Sequence, residues 1–163
     1  MKQLWAPWRL TYILGKKTRT CIFCHHPARG QNKKSLLLYA GPASLVMLNR
    51  YPYSSCHLLI APRQHTGKLS ELDQDESQLL FSTLRQSVEL LKQAIRPAGF
   101  NIGMNLGRVA GAGITRHLHL HVVPRWQGDT NFMPIVAESM VLPEHLDRTY
   151  ERLAPIFQSR FAS

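Results

Sequence analysis

The sequence has few acidic residues, few cysteines and no long apolar run. No stretch approaches the length needed to cross a bilayer, and the opening MKQLWAPWRL has no apolar centre of the kind a signal peptide carries. A soluble, cytoplasmic protein is therefore expected. Three cysteines, Cys21, Cys24 and Cys56, are too few and too odd in number for a disulfide scaffold. Ten Asp and Glu stand against twenty Lys and Arg, for a formal charge of +10. That imbalance favours anionic ligands and draws phosphates toward a cleft, but charge alone does not separate a mononucleotide, a dinucleotide and a nucleic acid. Internal repeats and low-complexity segments are lacking too, so residues 1–163 read as one domain, long enough to bury a core.

What the chain does have is histidine in strict alternation. Residues 117–124 read HLHLHVVP. On a strand His117, His119 and His121 would share one face, about 7 Å apart at ~3.3 Å per residue, with Leu118, Leu120 and Val122 on the other. A neutral imidazole carries a lone pair that serves as nucleophile, proton shuttle or metal ligand. Burying three such rings on one face without a task is costly, so the row reads as functional.

Around this row the pattern is α+β. Short β-leaning runs at residues 36–39, 44–48 and 57–61 form a meander broken at Gly41-Pro42 and at residues 49–55. From Asp73 to Arg96, Leu80, Leu84, Val88, Leu91 and Ile95 recur at three and four, the stripe of an amphipathic helix. Asp73 is placed to cap it, Asp75 and Glu76 suit its positive end, and Pro97 with Gly99 stops it. A strand over residues 100–105 follows, then the glycine-rich GRVAGAG, then the histidine strand. Residues 143–157 predict a short closing helix interrupted near Pro155. Strands gathered around one long helix argue for an antiparallel sheet. Residues 1–20 form an aromatic and basic arm, residues 25–35 an exposed loop, and residues 126–163 a C-terminal extension that begins irregularly.

The histidine row resembles the HxHxH signature of the histidine triad (HIT) superfamily of nucleotide hydrolases and transferases. CIFC at residues 21–24, LNRYPYSSCHLLIAPRQH at 48–65, GFNIGMNLGRVAG at 99–111 and VVPRWQGDTNF after the row fall in that family's order. Together they resemble the branch of bacterial diadenosine tetraphosphate phosphorylases and related hydrolases. The resemblance implies a sheet of about five antiparallel strands and a homodimer whose sheets join. It also implies that His119 attacks the α-phosphorus of a nucleotide, forming a nucleotidyl-histidine that water, phosphate or another acceptor resolves. His121 would bond the phosphoryl oxygens or help the leaving group depart, and His117 would hold the row in place.

Asn49 and Asn105 are implied by the same likeness, while Gly111, Gly113, Arg125 and Trp126 are read from their own chemistry. Asn49 falls where the family contacts the ribose hydroxyls, though an Asn before Pro52 is equally a turn residue. Asn105 resembles a phosphate or leaving-group contact. Gly111 and Gly113 would let backbone amides approach a phosphate, or simply make a tight connection. Arg125 and Trp126 would reach a second nucleotide by charge and by stacking. The family commonly places a Gln and then a Ser or Thr shortly before the first histidine. AGAGITRH departs from that, leaving the task to backbone amides or Arg116, and Leu120 lacks the polar group some phosphorylases carry there.

Cys21 and Cys24 have the CxxC spacing of a metal or redox pair, and no βαβ pattern of a redox motif surrounds them. His65 and His117 match positions that complete a Cys2His2 zinc site in zinc-containing members. With four protein ligands such a zinc is structural, and no organic cofactor is expected. His25 and His26 are reserve ligands, Cys56 reads as a small core residue beside His57, and His145 as exposed on the terminal helix. Two other functions compete with dinucleotide cleavage: hydrolysis of adenylylated nucleic-acid ends, and nucleotide binding without turnover. Without an appended finger or an extended basic tail, nucleic acid ranks below a small nucleotide as partner.

Overall fold

The computed structural model describes residues 20–25, 33–129 and 144–161. The expected arm, His26 and most of the C-terminal extension's irregular part lie outside them. The described elements are α1 (Ile22–His25), β1 (Leu37–Ala40), β2 (Ser44–Leu48), β3 (Leu58–Pro62), α2 (Gln74–Ile95), β4 (Gly99–Met104), β5 (Leu120–Arg125) and α3 (Leu146–Phe161). The five strands form one sheet in the order β1-β2-β3-β5-β4, every pair antiparallel.

Both faces of the sheet's centre are covered, which explains why β2 and β3 are buried along their whole length and apolar at every position but Ser44, rather than alternating. On one face Leu38, Val46, Leu48, Leu58, Ile60 and Val122 pack with Leu80, Leu84 and Leu91 of α2 and Leu153 and Phe157 of α3. On the other, Leu37, Leu45, Met47, Leu59 and Ala61 pack with Phe23. Directly paired residues share a face, so the pairing of His121 with Leu59 sets His121 on the Phe23 side, opposite the helices.

The long helix forms as its sequence predicts. Asp73 accepts from the Glu76 amide at 2.8 Å, and the Glu76 carboxylate accepts from the Asp73 amide at 3.2 Å, a reciprocal cap. Arg96 ends the helix in the left-handed region at φ 44°. Two expectations are corrected. α3 runs unbroken through Pro155 to Phe161, because Leu153, Ala154 and Phe157 are buried and Phe161 stacks on Tyr39 at 4.0 Å, while Pro155 itself faces solvent. Sheet pairing of β5 starts only at Leu120, so His117 and His119 lead into the strand and only His121 lies on it. Their stretch is held instead by the Leu118 amide, which donates to the Thr66 carbonyl at 2.7 Å beyond the end of β3.

Candidate active site and metal centre

Each histidine of the row has its tautomer set by a neighbour. The ring Nδ1–H of His119 donates to the His117 carbonyl at 2.9 Å, which leaves the lone pair on Nε2. His119 is 5 % exposed, and burial lowers its pKa against the small opposing effect of that hydrogen bond. A buried, neutral imidazole with a bare Nε2 is a nucleophile. His121 lies beside it, the ring centroids 5.1 Å apart, and Phe23 packs on both His117 and His119 at 5.0 and 5.1 Å.

The other flank of the site is set by the loop that leads into β3. His57 is fully buried, and its Nδ1 accepts from the Tyr53 amide at 3.0 Å and lies 3.2 Å from Asn49 Nδ2. The Asn49 amide orientation is consistent, because its Oδ1 accepts from the Tyr51 amide at 3.0 Å. With Nδ1 accepting, the His57 proton sits on Nε2 and donates to His121 Nδ1 at 2.9 Å. His121 therefore carries its own proton on Nε2. Burial, with the neighbouring His121 and His119 adding to it, pushes the His57 pKa down to about 3.

That depression carries a pH dependence with a definite sign. His57 stays neutral in the folded chain while the unfolded chain takes up a proton below about pH 6.5, so stability is intact above that pH and lost as pH falls toward 3. Between pH 6 and pH 4 the loss from this group alone is about 2–3 kcal/mol, on the order given by one proton per 1.36 kcal/mol per pH unit. Urea denaturation of the wild type and of His57→Gln at the two pH values checks it. The wild type is expected to lose more by that margin, and equal losses would count against the burial argument.

The second constellation adjoins the first. The ligand atoms of Cys21, Cys24, His65 and His117 all lie within 4.8 Å of one another. Cys21 Sγ is 3.3 Å and Cys24 Sγ 3.6 Å from His117 Nδ1, Cys24 Sγ is 3.1 Å from His65 Nδ1, and the two Nδ1 atoms are 3.3 Å apart. His117 Nε2–H donates to the Pro62 carbonyl at 2.9 Å, so its lone pair points into the cluster. Two thiols and two bare imidazole nitrogens are the donor set of tetrahedral zinc. His117 thus turns both ring nitrogens away from His119 and meets it through its carbonyl. α1 supplies the bend for CxxC, the His25 and Cys24 amides both donating to the Cys21 carbonyl.

The remaining sequence candidates divide. Asn105 follows directly on β4, whose last residue Met104 pairs with Leu120, and Gly103 opposite His121 leaves open space there. Asn49 has both side-chain ends engaged within its loop. Gly111, at φ 91°, and Ala112 donate their amides to the Arg108 and Gly107 carbonyls within the turn, and Gly113 is exposed. Arg125, four residues past His121, grips Asp129 through Nε and Nη2 at 2.6 and 2.8 Å and Asn101 at 3.1 Å, so its guanidinium is engaged away from the row. Trp126 is half-buried, and Cys56 is buried at φ 60° with its thiol pushed up to about 11 by burial. His145 is exposed just before α3.

A family model of the HIT domain matches residues 30–128. This chain belongs to the HIT domain family. It is 35% identical over 162 residues to an AP-4-A phosphorylase of Mycobacterium tuberculosis, covering 94% of this chain and 83% of that one. Its fold matches a hypothetical histidine triad nucleotide-binding protein from Sulfolobus tokodaii at a TM-score of 0.68 and 27% identity, over 87% of this chain and 92% of that one. A zinc-bound histidine triad family protein from Mycobacterium smegmatis matches at a TM-score of 0.68 and 22% identity, over 88% and 96%, a likeness of fold. In this HIT chain the residues that sequence reasoning missed are His57, Tyr53 and Phe23. One signal pointed to His57: it begins the alternation His57, Leu59, Ala61, whose face becomes the histidine face once β3 pairs with β5.

Proposed function

We propose that this HIT protein is a nucleotidyl hydrolase or transferase that cleaves dinucleoside polyphosphates through a nucleotidyl-histidine at His119. The observation that carries this reading is the hydrogen bond from His119 Nδ1–H to the His117 carbonyl, which points a bare Nε2 away from the backbone. His119 Nε2 attacks the α-phosphorus of one nucleotide, and the bond from that phosphorus to the bridging oxygen breaks. The polyphosphate leaves as an anion, its oxygen accepting a hydrogen bond from His121 Nε2–H, which keeps its proton. Water or inorganic phosphate then attacks the same phosphorus, returning His119 neutral. The similarity to an AP-4-A phosphorylase supports this substrate class.

Cys21, Cys24, His65 and His117 would hold a zinc ion. Bound there it would supply structural cross-linking between the CxxC turn, the end of β3 and the lead-in to β5, with no open position for substrate. A homodimer through the β4 edge completes the reading; β4 pairs on one side only, and its Ile102 is 47% exposed.

Incubation of purified protein with diadenosine tetraphosphate, with and without inorganic phosphate, tests the reaction. Phosphorolysis releases ADP and ATP, hydrolysis releases AMP and ATP, and absence of cleavage of this and related nucleotidyl compounds refutes the proposal.

A further inference from the structure

We propose that Tyr53 is a positioning residue for the hydrogen-bond donor of this site, its ring and amide together holding His57 in the tautomer that fixes His121. This deepens the reading above and rests on it. The loop between β2 and β3 turns back on itself: Asn49 Oδ1 takes the Tyr51 amide, His57 N–H donates to the Ser54 carbonyl at 3.3 Å, and Cys56 takes φ 60°. That path sets Tyr53 and His57 face to face, with ring centroids 4.9 Å apart and planes at 27°. The same phenol ring reaches His121 at 5.9 Å.

Exposure shows what the ring does there. His57 is 1% exposed and Tyr53 is 38% exposed, so the phenol ring lies between the imidazole and water. The Tyr53 amide meanwhile occupies His57 Nδ1. The groups that face His57 are Asn49 and Tyr53 from its own loop and His121 and His119 from the β5 side, and none of these is an acid that would reward a charged imidazole. Kept dry and neutral, His57 has one way to bond His121: Nε2–H donates and His121 Nδ1 accepts. His121 Nε2–H is then the donor that faces the phosphoryl and leaving-group oxygens. With the ring removed, water reaches His57, the protonated form becomes accessible, and its Nδ1–H meets the Tyr53 amide donor head on. The loop then lets go and the tautomer of His121 is no longer fixed.

The test pairs a spectroscopic reading with kinetics, using wild type, Tyr53→Ala, Tyr53→Phe and, as a control, His119→Ala. Long-range 1H–15N correlation spectra report which nitrogen of His57 and His121 carries the proton. In the wild type and in Tyr53→Phe His57 is expected to keep a bare Nδ1 down to pH 5. In Tyr53→Ala His57 titrates in the ordinary imidazole range near 6.5, and kcat on diadenosine tetraphosphate falls about tenfold with KM changed less than about twofold, the scale of one hydrogen bond to a charged group. Wild-type tautomers and kcat in Tyr53→Ala would overturn the proposal, as would a Tyr53→Phe variant as impaired as Tyr53→Ala. If the wild type cleaves nothing, the reaction assignment fails, and the spectra still decide the role of Tyr53.

Discussion

Replacing His119 with Ala is expected to lower kcat for dinucleotide cleavage by at least about 10³-fold, the scale on which removing a covalent nucleophile acts. The expectation follows from how little else in the site could substitute. His117 directs Nδ1 to the thiols and Nε2 to Pro62, and His57 directs both nitrogens to Tyr53 and His121. His121 has its Nδ1 occupied by His57. Only His119 combines a bare Nε2 with a tautomer held by a backbone carbonyl. The substitution also leaves a void beside Phe23 and His121, so a stability loss of about 1–3 kcal/mol is expected, well short of unfolding. Circular dichroism should therefore match the wild type, nucleotide binding by calorimetry should persist, and the phosphorus–nitrogen adduct expected by mass spectrometry of the wild type after alkaline quench should be absent. A variant that folds, binds and still turns over at the wild-type rate would remove His119 from the chemistry.

How much of this was readable in the sequence depended on whether a feature was local. The histidine row declared itself because a period of two is a property of a few consecutive residues. The Asp73 cap and the α2 stripe did so for the same reason at a period of 3.6. The Cys21, Cys24, His65 and His117 set needed the family resemblance, since no spacing in one chain brings residue 24 within 3.1 Å of residue 65. His57 stayed hidden because its partner is His121, 64 residues away, and the contact exists only after β3 pairs with β5. Arg125 was assigned to a phosphate because a cation after a histidine row invites it. Asp129, four residues on, claims that guanidinium, and only the tertiary turn shows that the two side chains meet. Pro155 was read as a helix breaker from propensity alone, and burial of the residues around it overrode propensity.

Removing the thiols of Cys21 and Cys24 is expected to cost the chain as much stability as a large core truncation. The Cys21→Ala, Cys24→Ala double variant should lower Tm by at least about 10 °C, given that structural zinc sites contribute several kcal/mol and that 1 kcal/mol moves Tm by ~2–4 °C in a chain of this size. The geometry says where that loss goes. His117 is the shared residue: its Nδ1 faces the cluster and its carbonyl holds His119. Untying the cluster loosens α1, with Phe23 wedged against two histidines, and frees the lead-in to β5, which is otherwise fixed by the bonds of Leu118 to Thr66 and His117 to Pro62. Turnover should fall in the double variant while His57 and His121 keep their mutual bond, because that bond joins the residue just before β3 to a residue on β5, away from the cluster. Native mass spectrometry should find one zinc per chain in the wild type and none in the variant. A strong chelator should lower the Tm of the wild type alone. A wild type that carries no metal when purified with zinc present, and whose Tm neither chelator nor double substitution moves, would reduce the four residues to a packed cluster with no structural ion.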